Sequence, residues 1–383
     1  MKIGILYPRS NAHPAMMADF MDGIKAALKH AELYDHIQFF SESIGFGGNE
    51  KEVYEKAEKL LVLEGADFLV AYVDLRVLEI LKPLLYTSGK LVLVVNPGAN
   101  YPQNWAPQPN ILNLTLHHGF LCWLSGKLAT EIKKMIAVMT TSFYDCGYLH
   151  TAAIVKSFVQ SGGKITFNYV NSQRYDDSFE IKQLTDYLAS DKETNSLLCV
   201  FDSLPASLFY SRLNTVSDAG SLHLFVSPMM LEPKALEQMA KGFKFSVVGY
   251  LPWHSSLENN ANKVFMDSYR QQTKRDTSVF SLLGWEIALI MQQVFQNCKD
   301  NYTDGATIAE ELKKIKLNSP RGEMRLDDET NYFVTPVIKC SVQPHAAKIE
   351  IETIEHPQAE WEAFVKDPIE GATSGWTNTY LCY

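Results

Sequence analysis

Two adjacent histidines, His117 and His118, a glycine-rich stretch GFGG at residues 45–48, and six scattered cysteines are where this 383-residue sequence offers reactive groups. None has the spacing that chemistry requires. A dinucleotide site needs a third glycine so that backbone can approach a pyrophosphate at a helix start, and GFGG lacks it. The histidines have no acidic or cysteine partner nearby in sequence, so a structural role is expected for both. Cys122, Cys146, Cys199, Cys298, Cys340 and Cys382 form no C-x-x-C pair, and runs such as FLCWL and LLCVF read as buried free thiols. G-x-S-x-G, H-E-x-x-H and G-x-x-x-x-G-K-[ST] do not occur. The sequence predicts no enzyme, no cofactor and no metal. What remains are binding groups: carboxylates, aromatics and loop backbone.

Charge narrows the partners. A net charge of −9 without clustered Lys and Arg excludes nucleic acid, because phosphate binding needs a basic face. A hydrophobic share of 46% and a charged share of 21% are those of an ordinary globular chain, and no apolar run is expected to reach membrane-spanning length. The length calls for two lobes. Met1 leads straight into the strand KIGILYP with no secretion signal, which fits either a cytoplasmic protein or a mature form with an added Met.

The elements that must position any site follow from periodicity. KIGILYP, HIQFFSE, ADFLVAYV and KLVLVVNPG read as apolar strands separated by amphipathic helices, the first with Met17, Phe20, Met21, Ile24 and Leu28 on one stripe. Such strands imply a parallel sheet covered on both faces. After the Pro- and Asn-rich loop NPGANYPQNWAPQPN the pattern restarts with KKMIAVMTT, GKITFNYV, NSLLCVF, LHLFVSP and FKFSVVGY. A helical stretch follows, and then SPRGEMRLDDETNYFVTPVIK reads as a hairpin. Ligands of parallel α/β sheets collect beyond the carboxyl ends of the strands. That points to the loops RSNAH, with Ser10, YVDLR, with Tyr72 and Asp74, and NPGAN. The strand end VFDSLP offers Asp202 as an acceptor, with Ser203 as a helix cap.

KIGILYPRSNAHPAMMADFMDGIKAAL, FMDSYRQQT, FSLLGWEIALIMQQVF and the hairpin together resemble the type I periplasmic binding proteins, the branched-chain amino acid receptors of ABC transporters above all. The resemblance covers residues 2–355 and implies two Rossmann-like α/β lobes, each a parallel sheet flanked by helices, joined by three hinge crossovers near 116, 250 and 330. Lobe 1 would be 1–116 plus 251–330, lobe 2 would be 117–250 plus 331–356, and 357–383 would be a C-terminal extension. It also implies ligand contacts at Asp74, Leu75, Gly98 and Asn100, an aromatic from Tyr144, and an apolar contact from Phe280. Tyr250, Trp253 and His254 near the second crossing would line the cleft or stiffen the hinge.

At the position where the family carries an acid for an α-ammonium, this sequence has Met229, so a solute other than a branched-chain amino acid is expected unless Asp74 or Asp202 substitutes. The implied function is capture of a small organic solute (amino acid, amide, or aromatic or aliphatic acid) by hinge closure, with delivery to an ABC permease. A periplasmic or lipid-anchored monomer or weak dimer is then expected. The alternative is a cytoplasmic ligand-sensing regulator of the amide-sensor type that binds a regulatory protein. The tail carries Trp376, Tyr380, Leu381 and Tyr383, too apolar for water, and is expected to dock on the protein surface or a partner.

Overall fold

The computed structural model describes residues 1–99, 105, 107–142, 147–171, 179–191, 193–237, 242–298, 302, 304–367 and 380. Strands β1 (Lys2–Tyr7), β2 (Gln38–Ser43), β3 (Phe68–Tyr72), β4 (Leu91–Asn96) and β5 (Ile111–Thr115) form a parallel sheet in the order β2-β1-β3-β4-β5. Strands β3 to β5 are buried at every position, as parallel strands covered on both faces must be. β5 is not among the strands expected from sequence: it is short, and Asn113 interrupts its apolar run. Helices α1 (Met16–His30), α2 (Glu50–Glu58) and α3 (Leu75–Ser88) are the crossovers.

The second sheet is built from α4 (His118–Glu131), β6 (Ile136–Ser142), α5 (Gly147–Gln160), β7 (Lys164–Asn171), α6 (Lys182–Ser190), β8 (Ser196–Val200), α7 (Ser203–Leu213), β9 (His223–Val226) and β10 (Ser246–Leu251). The chain then returns through α8 (Asn260–Thr273), α9 (Val279–Cys298) and α10 (Gly305–Lys313) to a small antiparallel sheet, β11 (Lys316–Ser319), β12 (Gly322–Leu326) and β13 (Phe333–Val334). Strands β14 (Val337–Val342) and β15 (Glu350–Ile354) add to β10 antiparallel, giving the order β15-β14-β10-β9-β8-β6-β7. The late hairpin is thus where the chain finishes one lobe and edges the other. A last helix, α11 (Gln358–Val365), follows.

Two glycines set how α9 meets α1. A Cβ on Gly23 would lie 2.2 Å from the Ser281 carbonyl oxygen, and one on Gly284 would lie 2.0 Å from that of Phe20. Only glycine allows this backbone approach, and it brings the start of α9 to the loop after β1. At 20 residues α9 is long and apolar enough to cross a membrane, contrary to the expectation that no run would be; 67% of that window is buried, so it is a core helix.

Between the two sheets, buried polar groups staple the passages of the chain. Arg321, after β11, makes a bidentate pair with Glu286 of α9, Nε to Oε1 at 2.8 Å and Nη2 to Oε2 at 2.6 Å, both side chains fully buried. Its third nitrogen, Nη1, donates to the carbonyl of Thr115 at the end of β5, 3.1 Å away. His117, at φ 55°, contacts Thr115 Oγ1 through Nδ1 at 3.0 Å and the Phe333 carbonyl through Nε2 at 2.7 Å. Nε2 must therefore carry the proton. Burial, with the nearby Arg321 charge, pushes His117 down to about 3.

Candidate functional site

Residues that follow β1 of the first sheet and β9 of the second meet at a single tyrosine, Tyr380, where the topology of parallel sheets puts a cleft. Tyr380 is only 1% exposed. From the first lobe, the loop after β1 supplies Ser10, whose hydroxyl donates to the Tyr380 carbonyl and accepts from the His13 amide at 2.8 Å. The His13 ring stands edge-on to Tyr380 at 5.1 Å, and Phe280 of α9 stands edge-on at 5.2 Å. Edge-to-face packing of this kind suits an aromatic guest. From the second lobe, the Tyr380 hydroxyl donates to a carboxyl oxygen of Glu232 and lies 3.4 Å from Nε2 of His118, the first residue of α4. Tyr380 therefore touches both lobes, its hydroxyl held by one and its carbonyl by the other.

Three of the groups around it are held neutral, with the charges of Asp202 and Lys234 acting from nearby. Burial drives His118 well below the usual histidine range, with His150 and His117 adding to the shift. Burial also lowers His13, against a smaller opposing pull from Asp202. Glu232 is pushed up to about 8, first by burial of its carboxyl group and further by Asp202, while the hydrogen bond from Tyr380 works the other way. It is a neutral carboxylic acid at pH 7. Burial raises the Tyr380 phenol far above its ordinary value, and Glu232, Asp202 and Tyr72 add to this. Nδ1 of His118 and Nε2 of His13 are buried and have no hydrogen-bond partner among the described residues.

Of the residues nominated from sequence, Ser10 and Phe280 contact Tyr380, and Asp202 and Tyr72 act on its phenol electrostatically. Others are elsewhere. Asp74 caps α3, accepting from the Val77 amide at 2.9 Å, so its carboxylate is engaged locally. Leu75 opens that helix and packs among the core residues behind it. Gly98, at φ 74°, lets the loop after β4 touch the first crossing: a Cβ there would be 2.8 Å from His117 Cα. Met229 is fully buried in the core, and the acid expected in its place comes one 3₁₀ turn later as Glu232. Tyr250 points out of the cleft, where the Glu131, Glu352 and Glu360 carboxylates act on its phenol. Trp253 donates to Asn262 at 2.8 Å and packs on Phe265 beneath α8. His254 is tied to Ser256 in an adjacent turn. Asn100 and Tyr144 lie outside the described residues, as does the side chain of Ser203.

A profile of the periplasmic binding protein family matches residues 1–343. The chain belongs to that family. Its members are solute-binding proteins rather than enzymes and work outside the cytoplasm. Similar solved structures include an ABC transporter substrate-binding protein from Sphaerobacter thermophilus, 15% identical with TM-score 0.75 over 93% of this chain and 98% of that one. A solute binding protein of Rhodopseudomonas palustris HaA2 is 17% identical with TM-score 0.74 over 94% and 98%. The branched-chain amino acid receptor LivJ of Streptococcus pneumoniae is 14% identical with TM-score 0.67 over 93% and 99%. No curated protein matches the chain.

Sequence reasoning missed His13, His118 and Glu232 as cleft residues. His13 sits in the quoted loop RSNAH and was within reach of the topology argument. His118 looked partnerless only because its partners are remote in sequence, and Glu232 followed a motif whose expected acid position held Met229.

Proposed function

We propose that this protein is an extracytoplasmic receptor for a para-hydroxylated aromatic acid or amide, delivered as a monomer to an ABC permease. The observation that carries the reading is the grip on Tyr380: a phenol hydroxyl at Glu232 and His118, a ring among His13 and Phe280, and a carbonyl oxygen at the Ser10 hydroxyl. A free solute with a phenol hydroxyl at one end and a carbonyl on a short flexible arm at the other would offer the same groups. The neutral state of His13, His118 and Glu232 supports a solute whose hydroxyl end is uncharged. Among the similar structures, the R. palustris HaA2 protein is in complex with p-hydroxybenzoic acid, another R. palustris protein with benzoate, and LivJ with isoleucine. The aromatic examples agree with the cleft chemistry better than the aliphatic one.

Closure follows from the site's two-sidedness, since a solute that contacts both lobes binds the closed state better than the open one and shifts the population toward it. Titration calorimetry with 4-hydroxyphenylacetate, 4-hydroxyphenylacetamide and leucine tests the reading. The hydroxylated compounds should bind with a smaller radius of gyration in solution scattering. Micromolar binding of leucine, with none of the aromatics, would overturn it.

A further inference from the structure

We propose that Tyr380 is a tethered competitor: the C-terminal segment places a solute mimic in the receptor's own cleft, and a free solute binds by displacing it. This rests on the reading of the cleft as a site for hydroxylated aromatics. Residues close to a chain end are ordinarily solvent-exposed, yet Tyr380 is 1% exposed and spans the two lobes.

Its hold differs from that of a structural core tyrosine. The hydroxyl of Tyr210, in the core of the second lobe, donates to the Met230 carbonyl at 3.0 Å inside closely packed aromatics. Tyr380 instead meets ionisable groups whose own needs it leaves incompletely met, because Nδ1 of His118 and Nε2 of His13 stay without partners among the described residues. Its backbone is at φ 72°, a left-handed conformation that a bulky side chain rarely adopts. Those are properties of an occupant that can be replaced.

The tether is anchored. Trp361 of α11 is 2% exposed and packs on His117 at 5.0 Å and on Phe120 at 5.5 Å. Asp367 just beyond accepts from Trp123 Nε1 at 3.0 Å and pairs with Lys156 at 2.6 Å. A short connection from a fixed point gives its end an effective concentration of about millimolar. A phenol whose own Kd lies well below about 1 mM would then occupy the cleft most of the time and raise the threshold concentration of free solute.

The test compares the full chain with Tyr380→Ala and with a chain ending at Asp367, each titrated with 4-hydroxyphenylacetamide by calorimetry. Both variants should bind at least tenfold tighter than the full chain, and Tyr380→Phe should fall between. Addition of the same compound to the full chain should speed proteolytic cleavage after residue 367. Equal affinity in all forms overturns the competitor while leaving the solute reading intact. Binding by none of them overturns the solute reading and this inference with it. If neither variant folds, Tyr380 is a structural residue and the inference is wrong.

Discussion

The hinge and the cleft both bury ionisable groups, and they treat them in opposite ways. At the hinge, all three guanidinium nitrogens of Arg321 and both ring nitrogens of His117 have partners within 3.1 Å. In the cleft, the two neutral imidazoles of His13 and His118 each keep a nitrogen without a partner among the described residues. A buried polar group that is left unsatisfied costs about 1–3 kcal/mol. Near the hinge, side-chain atoms of Asn113, Asn331 and Trp361 are likewise buried without a partner among the described residues, so it is only for the ionisable groups that hinge and cleft part company.

The largest expected effect lies at the hinge. Arg321→Ala leaves Glu286 as an uncompensated buried charge, which should cost about 3–5 kcal/mol in denaturant unfolding. A loss under about 1 kcal/mol would mean that water reaches the pair and that the hinge is no drier than the cleft.

Next, the two regions should respond oppositely to pH. His117 titrates at about 3 when folded against an ordinary value of 6.5, so its contribution is intact above 6.5 and is lost as pH falls. About 2 kcal/mol should disappear between pH 6.5 and pH 5, and His117→Gln should flatten that limb of the stability profile. Glu232, raised to about 8 from 4.5, works the other way: its contribution is present below 4.5 and lost as pH rises through about 8. Glu232→Gln should remove the alkaline loss and leave the acid one.

Smaller still is a proton linkage in binding. A solute hydroxyl donating to Glu232 favours the carboxylate, so binding to Tyr380→Ala should change little between pH 6 and pH 7 and tighten as pH rises past about 8, by at most about tenfold per unit. The full chain should show little dependence, because the Tyr380 hydroxyl makes the same hydrogen bond before it leaves. A solute that weakens with rising pH would have its carboxylate, not its hydroxyl, at Glu232.

The smallest effect separates scaffold from site within one loop. Asp74→Ala should cost about 1 kcal/mol of stability through the lost cap of α3 and leave solute affinity unchanged.

The two-lobed α/β fold was legible because strand and helix periods alternate cleanly and because the late hairpin could only edge a sheet. Topology alone nominates Ser10, Tyr72 and Asp202 beyond strand ends, and of these Ser10 bonds directly to Tyr380. The site was illegible where contacts are remote. Glu232 meets a tyrosine 148 positions away and His118 meets the same one 262 away, and no local spacing announces either. For Tyr250 and Trp253 sequence leaves cleft and hinge open, because an aromatic near a crossing serves either as readily.

The most direct measurement is a crystal structure of Tyr380→Ala grown with 4-hydroxyphenylacetamide. The account predicts the ring between His13, Phe280 and His118, with its hydroxyl at Glu232 and its carbonyl oxygen at Ser10. An unoccupied cleft in a crystal of protein that binds the compound in solution, or the ring bound outside that set of residues, would contradict it.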